Sequence, residues 1–178
     1  MTDAIRLIQG VVAPEQINAI VDWNKERNEF ELNSNLEVNM LREEVVEYFD
    51  AETYIDRVDA VCDIIFVAVG TIAKATYAFH MAAEGLLAPI DFVLTDFVGR
   101  TQVEGISPEQ MMPMLGEALG AVITANQQKG TEKDEDGKVK KPEGFVPPEE
   151  AIAEIIEKYK NVDNSDQVAE MFEQTGMA

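Results

Sequence analysis

The apolar run Ile64-Ile65-Phe66-Val67-Ala68-Val69 constrains this chain more than any other feature. It lies inside a segment, about Thr53 to His80, with helical periodicity. A helix that is apolar on every side must be surrounded by neighbours, so the run predicts the central helix of an all-α bundle.

Candidate neighbours are legible on both sides. Residues 14–30 open with Pro14, a good first helical residue, and Ile17, Ile20, Val21 and Asn24 recur at helical spacing. Asn33, Ser34 and Asn35 are turn and cap residues ahead of a helix from about Leu36 to Ala51. The segment 85–105 fits either a short helix or an ordered connection. Ser107-Pro108-Glu109-Gln110 makes a capping box, which predicts a helix to about Gln128 whose start Pro113 confines or kinks. Residues 129–148 form a polar loop in which Asp136-Gly137 suits a tight hairpin turn. A last helix is expected over Glu149 to Lys160. Residues 1–160 thus read as one domain and 161–178 as a polar tail.

Charge narrows function. The formal net charge of −20 opposes binding to nucleic acid through a basic surface. One cysteine and one histidine exclude an internal disulfide, a Cys/His zinc site and, in practice, a histidine triad. Cys62, inside an apolar stretch, reads as a buried thiol of a reducing compartment. No signal segment opens the chain and no uncharged apolar run approaches a membrane span, so the expectation is no membrane partner and a cytoplasmic location.

The acids are organised. Glu44 and Glu47 share one helix face, with Glu43 beside them. On the next helix Asp56, Asp59 and Asp63 form a stripe spaced by three and then four. A solvated acidic face explains Glu43 and Asp56 equally well. It explains Asp63 poorly, because Val61 and Cys62 precede it and Ile64 to Val67 follow. A buried carboxylate is costly unless paired, and a hard cation such as Mg²⁺ or Mn²⁺ pairs with several at once. Two antiparallel helices turning near Ala51–Thr53 would set Glu44 and Glu47 opposite Asp59 and Asp63.

Glu-Glu-x-x-Glu on one helix, followed by Asp63-Ile-Ile-Phe on the next, resembles the all-alpha NTP pyrophosphohydrolase superfamily. The stretch from Val58 to Thr71 is similar to its MazG-like and phosphoribosyl-ATP pyrophosphohydrolase-like branch, of the type often found in phages. So are Asn126 to Lys129 and Asp136 to Phe145. The resemblance spans about residues 20–150. It implies a four-helix-bundle-like pyrophosphatase fold with a C-terminal loop and helix extension. It also implies assembly as a homodimer or homotetramer, and Mg²⁺-dependent cleavage of a (deoxy)nucleoside triphosphate to monophosphate and pyrophosphate. Glu44, Glu47 and Asp63 are its implied metal ligands. The usual second motif is Glu-x-x-Asp, but Ala60 stands three before Asp63, so Asp59 is the expected replacement.

Glu43 or Glu44 could take a proton from the attacking water. Lys74, Asn126, Lys129 and Lys141 are phosphate candidates, although solvated lysines and a polar loop explain the three lysines as well. Trp23 could stack on a base and Asn24 bond its edge, or Trp23 could be ordinary core. Phe145 could cover the site or merely anchor its loop. Gly70 suggests close approach of substrate or, preferably, of a second helix. A non-catalytic nucleotide-binding or regulatory bundle is the alternative that Ala60 favours. Glu132-x-Asp134-x-Asp136-Gly137 with Glu143 nearly spells a calcium loop, but Pro142, Pro147 and Pro148 argue against flanking helices. A di-iron site fails because Tyr77 stands three before His80.

Overall fold

The computed structural model describes residues 10–28, 30–78, 80–135 and 138–160. Among these, every regular element is a helix: α1 Pro14–Asn28, α2 Ser34–Asp50, α3 Tyr54–Ala78, α4 His80–Val103, α5 Pro108–Gln127 and α6 Glu149–Lys160. The protein is all-helical. Among the described residues no helix is long and apolar enough to cross a membrane. The expected tail 161–178 and the Asp136-Gly137 turn lie outside the described residues.

Helix α3 packs against all five others. Val58, Val61, Cys62, Ile64, Ile65 and Ala68 are fully buried around its circumference. Each large apolar side chain buried there contributes roughly 1.5–3 kcal/mol relative to exposure, so α3 organises the core. Its closest partner is α2. Asn33 caps α2, its side chain accepting from the Leu36 N–H at 3.2 Å.

The segment read as a short helix or connection is instead the 24-residue α4, which runs through Gly85 and Pro89. Its buried Ile90, Val93, Leu94 and Phe97 recur at three and four residues, so tertiary packing outweighs the local breakers. Two phenols pin α4 to its neighbours. Tyr48 of α2 donates to Asp96 at 2.8 Å, and Tyr54 of α3 donates to Thr101 at 2.9 Å.

The capping box of α5 is present, with Ser107 Oγ accepting from the Gln110 N–H and Gln110 Oε1 from the Ser107 N–H. The helix continues through Pro113. Ile152 and Ile156 bury α6 against α3 and α5, and Lys158 ion-pairs with Glu117 at 2.6 Å.

The loop between α5 and α6 folds back on itself. Lys133 and Val139 form an antiparallel bridge, and Asp134 and Lys140 donate backbone N–H bonds to Lys138 and Glu132 at 2.8 Å. Asp134 Oδ1 accepts from the Lys138 N–H. This doubled-back ribbon is unlike a calcium-binding loop between two helices, since α5 ends at Gln127 and α6 starts only at Glu149.

Candidate metal and nucleotide site

The folded-back loop roofs a cavity of about 570 Å³ between α1, α2, α3 and α5. That volume suits a small-molecule ligand. Helix α2 contributes Glu37, Met40, Glu44 and Glu47 to its wall, each three or four residues after the last, so all share one face. Helix α3 supplies Asp63, Phe66 and Val67. Trp23 and Asn24 enter from α1, and Asn126 closes the wall from α5. Lys129, Lys138, Lys140 and Lys141 come from the loop.

The acid end is electrostatically unsettled. Glu44 and Asp63 are partly buried in the wall and Glu47 lies at the exposed rim. Burial, then the charges of Asp63 and Glu47, push the Glu44 carboxyl from an ordinary 4.5 up to about 8. Burial and Glu47 raise Asp63 to about 6, although Lys129 and a bond from Asn126 oppose the rise. Burial lowers the proton affinity of Lys129, whose Nζ bonds Asn126 Oδ1 at 2.6 Å. Carboxylates crowded away from water bind a proton, or another cation, more tightly.

Among the described residues, however, no three acid, histidine or cysteine groups stand close enough together to hold a metal ion. The donors are the right kind for a hard cation, all oxygen, but they line a cavity instead of forming a cage.

Four expected site residues, Asp59, Glu43, Lys74 and Phe145, do not line this cavity. Asp59 does not line this cavity; it faces a separate shallow pocket with Glu47, Asp50 and Asp56. There its Oδ1 is buried without a hydrogen-bond partner, and burial with the charge of Asp63 raises its carboxyl to about 7. The one-residue offset from the usual position rotates it by about 100° around α3 relative to that position. Glu43 points to the outer side of α2 and ion-pairs with Lys138, so it is not within the cavity. Lys74 is only 2% exposed and donates to Glu37 at 2.7 Å, which leaves it behind the wall.

Trp23, Asn24, Asn126, Lys129 and Lys141 do reach the cavity. Trp23 Nε1 donates to the Asn126 carbonyl at 2.8 Å, and its ring meets Phe66 edge-on at 5.3 Å. Arg27 lies over the Trp23 ring and donates to the Lys129 and Gly130 carbonyls, tying the loop to α1. Phe145 is not part of the wall; Lys129 and Lys141 sit over its ring at 5.8 and 5.1 Å, which fits the loop-anchor role. Gly70 is explained by packing. A Cβ there would lie 2.7 Å from Asn24 Nδ2, so glycine lets Asn24 seat against α3.

Sequence reasoning missed Glu37. It accepts from Lys74 on Oε1 and from Thr71 on Oε2, at 2.7 and 2.8 Å, and all three residues are buried. The signal was present in the register: Glu37 stands ten residues before Glu47, and Lys74 eleven after Asp63, nearly equal offsets as an antiparallel pair requires. No protein-family model, curated protein or solved structure matches the chain.

Proposed function

We propose that this chain is a Mg²⁺- or Mn²⁺-dependent nucleoside triphosphate pyrophosphohydrolase of the all-alpha pyrophosphatase fold, acting in nucleotide-pool control. The observation that supports it is the cavity's polarity. Glu44, Glu47 and Asp63 line it together with a set of lysines, and Trp23, Asn24 and Phe66 complete its wall. A cavity for a neutral ligand would need neither, and an acid cluster without lysines would not suit a polyphosphate.

Glu44, Glu47 and Asp63 would hold the cation, and their side chains would have to draw in around it. When bound, the cation would neutralise the triphosphate and make water a better nucleophile. Glu44 accepts the proton of the attacking water. The water oxygen bonds to the α-phosphorus, the bond from that phosphorus to the bridging oxygen breaks, and pyrophosphate leaves. Lys129, Lys138 and Lys141 stabilise its charge, so catalysis rests on positioning and electrostatics. The resemblance adds a homodimer or homotetramer and a cytoplasmic setting to the proposal.

A second reading, a nucleotide-binding or regulatory bundle without turnover, is favoured by Ala60 and by the placement of Asp59 outside the cavity. Incubation with each common nucleoside triphosphate plus Mg²⁺ or Mn²⁺, with products resolved, separates the two. Monophosphate plus pyrophosphate is the expected outcome. Diphosphate plus orthophosphate refutes the cleavage position, and binding without turnover supports the second reading.

A further inference from the structure

We infer that the buried Glu37–Lys74–Thr71 cluster makes Glu37 the residue that selects the base, favouring a nucleobase that carries an exocyclic amine. This rests on the nucleotide reading of the same cavity and adds a substrate class to it.

Glu37 is 1% exposed, yet it lines the cavity next to Trp23, Asn24 and Phe66. Lys74 Nζ and Thr71 Oγ1 each occupy one of its oxygens from behind. An ionised carboxylate has about four acceptor positions, and Lys74 and Thr71 take one on each oxygen. The ammonium and the hydroxyl both donate to the carboxylate and fix its rotation, so Glu37 meets the cavity as an acceptor.

Its placement along α2 is telling. Seven residues separate Glu37 from Glu44, about 10 Å along the helix axis. A ligand whose phosphates lie among the acids and lysines would bring its far end, the base, to Glu37. The walls there suit a flat ring: Trp23 and Phe66 are aromatic, and Met40 and Val67 complete an apolar surround. An acceptor-only group at the floor of that slot attracts an amino N–H and repels a carbonyl oxygen. Cytosine, adenine and guanine each offer an amine; uracil and hypoxanthine place a carbonyl where cytosine and adenine carry theirs, and hypoxanthine lacks the amine of guanine. Stability alone explains the cluster poorly, because a buried ion pair is commonly replaceable by apolar residues without loss.

The test is equilibrium binding of AMP, GMP, IMP, CMP and UMP to the intact protein with Mg²⁺ present, which needs no turnover. Comparing AMP and GMP with IMP, and CMP with UMP, isolates the amine. The expected result is that, for the ring the slot accepts, the amino member binds at least about 10-fold more tightly, since a site built to bond one group rejects analogues lacking it. In the double variant Glu37→Gln with Lys74→Met, which removes both charges together, that preference should fall to about 2-fold or less on the same principle. Equal or tighter binding of the keto members in every comparison overturns the inference. So does a preference that persists in the folded double variant, or no binding of any of the five. The wild-type comparison stands even if the double variant does not fold. Should no triphosphate release pyrophosphate while the amine preference holds, the hydrolase reading fails and the base-selecting role survives.

Discussion

Helices α2 and α3 enclose charge at two places, and the two are handled differently. At one end Glu37 is matched within the protein by Lys74 and Thr71. About two helical turns away, Glu44, Glu47 and Asp63 crowd one another, and the lysines around them offset the repulsion only in part. The matched end can hold its shape unaided. The unmatched end keeps part of its repulsion, which a bound cation would relieve.

The contrast predicts opposite responses to charge removal. The largest effect should come from Lys74→Ala, which strands the Glu37 carboxylate; a loss of about 3–5 kcal/mol is expected by chemical denaturation. The double change Glu37→Gln with Lys74→Met should recover most of it. If Lys74→Ala is as stable as wild type, the pair is not the closed unit described here. Next in size, Gly70→Ala drives a methyl into the Asn24 amide and should lower stability by about 1–3 kcal/mol, as overpacking does. An unchanged melting temperature would show that α1 and α3 have slack at this contact.

At the unmatched end the sign reverses. Asp63→Asn should raise the melting temperature of metal-free protein while abolishing pyrophosphate release. A fall in melting temperature would mean that the carboxylate is already satisfied. The pH response probes the same unmatched end. Glu44, Asp59 and Asp63 hold protons more tightly folded than unfolded, with folded values near 8, 7 and 6 against ordinary values of 4.5, 3.8 and 3.8. Their contribution is therefore fully present below about pH 4 and is lost as pH rises through those folded values. Metal-free protein should melt at a lower temperature at pH 8 than at pH 5, and added Mn²⁺ should raise the melting temperature more at pH 8. Equal Mn²⁺ shifts at both pH values would uncouple the carboxylates from the cation.

How much of this was legible in the sequence depends on where the information sits. The apolar stretch around Ile64 and Ile65 announces a central helix, and Ser107 with Gln110 announces a helix start, because both signals are local. Helix α4 was obscured by Gly85 and Pro89, whose local preference yields to packing of Ile90, Val93 and Phe97. The acid end was legible because its carboxylates cluster along the chain. Glu37 and Lys74 were not paired in advance, since their partnership appears only once α2 and α3 are set in antiparallel register. Asp59 lines a separate pocket because a single residue's offset on a helix changes the face a side chain presents.

The central claim, that Glu44, Glu47 and Asp63 form a cation site, is tested most directly by counting bound Mn²⁺ through the loss of its free electron paramagnetic resonance signal. Wild-type protein should bind Mn²⁺ saturably, and the double variant Glu47→Gln with Asp63→Asn should leave the free signal undiminished. Equal binding by both proteins, or none by the wild type, would contradict it.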